Sequence, residues 1–306
     1  MIGRTALHGL VAATHTPFHA DGSLNLAVVE KQAAHLLARG VKFAFIGGTT
    51  GECSSLTLEE RRGLAQRWAE VARGTELKIV VHVGSNCLAD ARVLAAQAQQ
   101  FGATAISALA PSYFKPRSLD ALIACCADIA AAAPETPFYF YDIPALTGVG
   151  FPVSDFLARA PAKIPTLAGI KFTNPDLLAY QFCLRAGGGR WDVPFGVDEH
   201  FLGALAMGAK GAVGSGFNFA APVYQRLLKA FAAGDLEAAR AEQFRGAQLV
   251  QWLAGYGYLG AAKALMEMLG VDVGPARLPN TSLDAAQQSR LRDELGEKGF
   301  FDWIKH

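Results

Sequence analysis

The stretch Leu167-Ala168-Gly169-Ile170-Lys171-Phe172-Thr173, bounded by Pro165 and by Asn174-Pro175, reads as a short buried strand that ends in a lysine. Lysine is rarely buried unless it is paired, so a lysine at the C-terminal end of a core strand asks for a reason. One reason is covalent chemistry, because desolvation favours a neutral amine that can attack a carbonyl carbon. The other is a strand-end lysine whose stem lies on apolar surface while its ammonium reaches water. Thirty residues before Lys171, the run Phe138-Tyr139-Phe140-Tyr141-Asp142-Ile143-Pro144 reads as another strand, with Tyr141 at its C-terminal end. That spacing fits one strand–helix–strand unit. In a parallel barrel the unit brings Tyr141 and Lys171 to one rim. A phenol beside an amine is a workable proton relay for Schiff-base chemistry.

The same alternation extends over most of the chain. Strands are predicted at Leu10–Thr14, Phe43–Ile46, Leu77–His82, Thr104–Leu109, Pro137–Tyr141, Leu167–Lys171, Val193–Gly196 and Gly211–Gly214. Helices are predicted between them at segments such as Leu26–Ala38, Leu58–Ala72, Ala89–Phe101, Leu119–Ala132 and Pro222–Ala233. Eight strands alternating with helices predict an α/β chain closed into a (β/α)8 TIM barrel. An open doubly wound sheet usually carries a glycine-rich nucleotide fingerprint after its first strand, whereas here that strand runs into His15-Thr16-Pro17-Phe18. Helical patterns follow at Leu236–Leu253, Leu259–Leu269 and Leu283–Leu295, punctuated by Gly255, Gly257 and Gly274-Pro275. The division expected is barrel core strands over 1–220 and the last barrel helix with a C-terminal helical extension over 221–306, all in one domain.

Composition narrows the class. The 306 residues are 51% hydrophobic and 18% charged, which suits a globular protein with a large core. A net charge of +1 argues against an electrostatic attraction to nucleic acid or an anionic membrane, and leaves room for a locally positive pocket for one small anion. Met1-Ile2-Gly3-Arg4-Thr5-Ala6-Leu7-His8 leads straight into a strand without a leader-like apolar core. No apolar run is long enough to span a bilayer, so a cytoplasmic location is expected. Cys53, Cys87, Cys125, Cys126 and Cys183 are scattered and odd in number, as expected for reduced thiols.

Three loops fall at the ends of predicted strands. Gly47-Gly48-Thr49-Thr50-Gly51-Glu52 can bring backbone amides and two hydroxyls to an anion, or be a tight strand–helix turn. It lacks the lysine ending of a phosphate loop. Gly196-Val197-Asp198-Glu199 can accept hydrogen bonds from sugar hydroxyls, or cap the next helix. Gly214-Ser215-Gly216-Phe217-Asn218 permits close ligand approach, or is a turn. The histidines show no metal-ligand spacing, and His82 reads as a hydrogen-bonded strand-end residue. The Arg185–Arg190 stretch with its three glycines reads as a loop.

Taken together, a Gly-Thr-Thr-Gly-Glu loop after strand two, a tyrosine ending strand five and a lysine ending strand six resemble the dihydrodipicolinate synthase/N-acetylneuraminate lyase family of class I pyruvate aldolases. The resemblance runs from Gly9-Leu10-Val11-Ala12-Ala13-Thr14 to Gly274-Pro275-Ala276-Arg277-Leu278-Pro279. It implies that Lys171 forms a Schiff base with pyruvate, that Tyr141 relays protons, and that Thr49 and Thr50 hold the pyruvate carboxylate. It further implies substrate contacts from Thr173, Gly196, Asp198, Glu199 and Ser215, and a homotetramer in which Tyr113 reaches a neighbouring subunit's site. No metal or organic cofactor is implied, and the ligands are small molecules: a sialic acid, pyruvate and N-acetylmannosamine. Leu146 stands where the synthase branch usually has an arginine for a second carboxylate, and Tyr141–Gly148, Gly196–Glu199 and Gly211–Ser215 are similar to the sialic acid lyases instead. Gly216, before Phe217-Asn218, is a small departure from the lyase pattern.

Overall fold

The computed structural model describes residues 6–305. Met1–Thr5, the opening of the stretch expected to lead straight into the first strand, and His306 lie outside the described residues. Among the described residues seven parallel strands form one sheet: β1 (Gly9–Ala13), β2 (Phe43–Ile46), β3 (Lys78–His82), β4 (Ala105–Leu109), β5 (Phe138–Asp142), β6 (Leu167–Phe172) and β7 (Gly211–Gly214). Their order is β6-β5-β4-β3-β2-β1-β7. Helices at Val28–Ala38, Leu58–Ala72, Leu88–Gln100, Leu119–Ala131, Val153–Arg159, Leu177–Arg185, Phe201–Met207 and Ala221–Ala232 surround it. Every strand is covered on both faces, which is why the strands read as nearly continuous apolar runs.

The predicted strand Val193–Gly196 is not a continuous ladder. It makes single parallel bridges, Gly169 with Asp192, Phe172 with Phe195, and Phe195 with Ala212. Pro194 has no N–H to donate and interrupts the pairing. The backbone still joins the two edges: Ile170 N donates to Asp192 O and Phe172 N to Pro194 O (both 3.0 Å), while Val213 N donates to Phe195 O at 2.8 Å. The segment therefore closes the TIM barrel between β6 and β7.

Alternation along the strands divides the core in two. Val11, Ala13, Phe45, Val80, Tyr139, Tyr141 and Val213 belong to an inner cluster, whereas Leu10, Ala12, Phe138, Phe140, Ile170 and Phe172 pack outward against the helices. Lys171 lies between two outward residues of β6. The β5–β6 register slips by one residue between Phe138 and Tyr139, and the extra residue, Ala168, places Tyr141 opposite Lys171. Gly169 permits this bulge, because a Cβ there would lie 1.7 Å from Asp192 O.

After β7 and its helix, the chain continues through helices Leu236–Gly255, Tyr258–Met268, Ala285–Glu297 and Phe300–Trp303. Leu265, Leu291 and Phe300 share one hydrophobic cluster with the barrel helices. The helix at Ala285–Glu297 begins two residues later than its apolar pattern because Asp284 and Gln287 form a capping box.

Candidate active site

Lys171 and Tyr141 are Cα partners in the β5–β6 ladder, both near strand ends. They are 4% and 2% exposed, so the amine does not reach water along the surface. The Lys171 Nζ lies 3.6 Å from the centre of the Tyr141 ring and 4.5 Å from that of Phe45. An ammonium over π-faces is held electrostatically, and an uncharged amine there would be packed against apolar rings. The Tyr141 hydroxyl is 3.2 Å from Thr49 Oγ1, which links the strand-five phenol to the loop after β2. Of the two readings of the lysine, burial among aromatic rings favours chemistry over a stem that snorkels to water.

Two features of that loop follow from its glycines. Gly47 has φ +61°, and a Cβ on Gly48 would sit 2.6 Å from the Phe45 ring. Thr16 Oγ1 donates to Gly51 O at 2.6 Å and pins the loop from the strand-one side. His82 fixes its start: the ring's Nδ1 is 3.0 Å from Gly47 O, as the strand-end reading expects. Burial, then Arg61 and Lys171, hold the His82 pKa well below the usual imidazole range, so Nδ1–H donates to that carbonyl. The His82 ring also meets Tyr141 edge-on at 5.8 Å. Arg61 donates to His82 O and Gly84 O, at 2.8 and 2.9 Å, from the helix Leu58–Ala72. A cavity of about 240 Å³, lined in part by Thr49, Ser54, Asn86, Leu146 and Asn280, opens beside this loop.

The other predicted contacts form a second group. Asp198 is buried, and its Oδ2 accepts a hydrogen bond from Gly216 N at 2.7 Å. It thus ties the β7 loop to the turn Asp198–His200, and its carboxylate does not cap its own helix, the alternative drawn from sequence. Burial raises its pKa to about 7, opposed by the Gly216 N–H and partly by Lys171. Gly214 leaves room for this carboxylate, since a Cβ there would lie 1.8 Å from Asp198 Oδ1. Thr173 and Gly196 are likewise matched: a Cβ at 196 would lie 2.0 Å from Thr173 Oγ1. Ser215 Oγ is 2.7 Å from the Tyr258 hydroxyl. Thr50 and Glu199 are half-buried on their loops. Tyr113 stands apart, 78% exposed and packed edge-on against Phe114.

Sequence reasoning missed Phe45, Tyr258 and Asp142 as parts of this region. Phe45 and Tyr258 carry no local signal that separates them from ordinary core aromatics. Asp142 is buried with its pKa raised by burial to about 6, and Asn174 Nδ2 lies 3.5 Å from its Oδ2. Among the described residues no group of three or more His, Cys, Asp or Glu side chains is arranged to hold a metal ion. No helix of the described residues is long and apolar enough to cross a membrane.

Comparison with known proteins identifies the family. The dihydrodipicolinate synthetase family matches residues 6–298. N-acetylneuraminate lyase A of Xenopus laevis is 39% identical over 276 residues, covering 89% of this chain and 90% of the relative. N-acetylneuraminate lyase of Gallus gallus is 40% identical over 283 residues, covering 91% and 92%. The solved structure of Proteus mirabilis N-acetylneuraminate lyase superposes with a TM-score of 0.93 at 39% identity, covering 97% of this chain and all (100%) of that one. The chain belongs to the dihydrodipicolinate synthetase family.

Proposed function

We propose that this chain is a carbon–carbon lyase that cleaves N-acetylneuraminate reversibly to N-acetylmannosamine and pyruvate through a Schiff base on Lys171. The observation that carries the reading is the pairing of Lys171 with Tyr141 in one β-ladder. It lies in a chain 40% identical over 283 residues to a relative with that name. The Lys171 amine attacks C2 of the open-chain keto acid, and loss of water from the carbinolamine gives an iminium. The proton of the C4 hydroxyl passes to the Tyr141 oxygen as the phenol's own proton moves to Thr49 Oγ1, whose hydroxyl proton passes in turn to the keto acid's carboxylate. The C3–C4 bond breaks, its electron pair enters the iminium to form an enamine, and the amino sugar leaves as an aldehyde. Proton return to C3 and hydrolysis of the imine release pyruvate and restore the amine.

Thr49 and Thr50 supply hydroxyls for the keto acid's carboxylate. Asp198, Glu199, Thr173, Gly196 and Ser215 take the polyhydroxyl end. Leu146 lines the cavity mouth, where an apolar side chain offers nothing to the second carboxylate of a synthase product. We further propose a cytoplasmic homotetramer in which Tyr113 of one copy completes a neighbour's site. The exposure of the Tyr113–Phe114 pair supports the assembly, and the five free cysteines support a reducing compartment.

The test is a substrate panel with pyruvate detection, followed by borohydride trapping. Cleavage of N-acetylneuraminate and a reduced pyruvate adduct on the Lys171 peptide are expected. An adduct on another lysine, or none, sinks the mechanism.

A further inference from the structure

A second buried lysine lies behind the loop that carries Thr49 and Thr50. Lys263, on the helix Tyr258–Met268, places its ammonium 2.8 Å from Glu52 Oε1, and the two side chains are 2% and 0% exposed. The Glu52 side chain also accepts from Arg277 N through Oε2 at 2.7 Å. The Lys263 ammonium donates to Pro275 O at 2.6 Å. The Phe18 ring meets both cations, with Lys263 Nζ 4.4 Å and the Arg277 guanidinium 4.2 Å from its ring centre. Arg277 then reaches Ser55 O at 2.9 Å, just past the loop.

Glu52 is also the one non-glycine residue with positive φ among the described residues, at +56°. Such a conformation persists where its surroundings over-determine it. Here the surroundings come from the C-terminal extension. Glu52 N donates to Thr49 O at 3.0 Å and Cys53 N to Gly48 O at 3.1 Å, so the backbone turn at Glu52 is the closing turn of the threonine loop. The same helix meets the β7 loop through Tyr258 and Ser215.

We propose that Glu52 and Lys263 are positioning residues: the ion pair, seated by Arg277, sets the pose of the Thr49–Thr50 loop from the C-terminal extension. Neither residue touches substrate. The inference rests on the reading of that loop as the holder of the keto-acid carboxylate. Removing one partner leaves a buried charge unpaired and frees the strained turn to relax, so carboxylate binding weakens while the Lys171–Tyr141 pair stays in its own ladder.

The experiment measures pyruvate dependence of borohydride trapping and KM and kcat for N-acetylneuraminate, in Glu52→Gln, Lys263→Met and Thr50→Val proteins. Melting temperatures are recorded on the same samples. Glu52→Gln keeps side-chain volume and serves if Lys263→Met fails to fold. Half-saturating pyruvate and KM are expected to rise roughly 10- to 100-fold, the scale of a small misplacement of a binding group, and kcat is expected to fall as well, because the same loop carries the Thr49 hydroxyl that meets Tyr141. On the Thr50→Val background, Glu52→Gln should add much less to KM than it does alone, because both act through one loop. Unchanged KM with a lowered melting temperature, or full additivity with Thr50→Val, overturns the proposal. Absence of pyruvate trapping in the parent protein would instead overturn the function on which it rests.

Discussion

Tyr141 is in van der Waals reach of everything that defines the centre: its ring lies under the Lys171 ammonium, meets Phe45 and His82 edge-on, and its hydroxyl meets Thr49. Tyr141→Phe keeps the ring contacts and removes only the proton path. It should therefore melt near the parent temperature and still form the pyruvate imine, yet turn over roughly 10²–10⁴-fold more slowly; near-normal turnover would move the relay to another group. Asp198 gives a pH prediction of definite sign. Its ordinary pKa of 3.8 rises to about 7 on folding, so the folded state holds a proton that the unfolded chain releases. That contribution to stability is full below pH 4 and is lost as pH rises through 7. Asp198→Asn cannot ionise, so its stability relative to the parent should climb between pH 4 and 7 and then level, as read by melts across that range. A flat difference would mean that Asp198 is ionised throughout. At this scale burial rules made Lys171 legible: it is a charge in an apolar run. The same rule applies to Lys263 in Gly260-Ala261-Ala262-Lys263-Ala264-Leu265, where its partner lies 211 residues away in sequence (263 − 52) and leaves no local trace.

Elements were legible where periodicity or apolar runs mark them. Phe43–Ile46, Gly211–Gly214 and Leu58–Ala72 match their predicted bounds, because a strand covered on both faces and a capped amphipathic helix both declare their ends. Val193–Gly196 did not form a ladder, since Pro194 breaks the pairing while the apolar pattern remains. The β5–β6 register could not be read at all: its slip depends on how Gly169 meets the backbone of Asp192, a contact across the barrel seam. That seam gives a prediction. Gly169→Ala places a methyl against a backbone carbonyl that has no room to move, so it should cost about 3 kcal/mol or more, measured by denaturant unfolding. Loss of the Tyr141–Lys171 pairing should accompany it, seen as weaker pyruvate trapping in whatever fraction folds. A neutral effect would show that the seam relaxes freely.

At the scale of the whole molecule, the barrel alone supplies Lys171, Tyr141 and Thr49, while the extension reaches back to the rim through Tyr258, Lys263 and Arg277. One candidate, Tyr113, is not accounted for within a chain. Its amide is held by Asn86 at 3.0 Å, which fixes the backbone, yet its ring is exposed and rests edge-on against Phe114. An anchored backbone presenting two aromatic rings to solvent suits a contact with another copy, and in the proposed tetramer the phenol serves the neighbour's site. Complementation separates this from a role within one chain. Lys171→Ala lacks the amine and Tyr113→Phe lacks the phenol, so each pure protein should be nearly inactive or strongly impaired. Mixed by co-refolding in equal amounts, about a quarter of the sites should combine an intact Lys171 with an intact neighbouring Tyr113, if symmetric contacts form at random. Activity should rise above the mean of the two pure samples, and should fall back to it when the proteins are mixed without unfolding. If Tyr113 acts only within its own chain, no mixture can restore a complete site, and co-refolded samples will never exceed that mean.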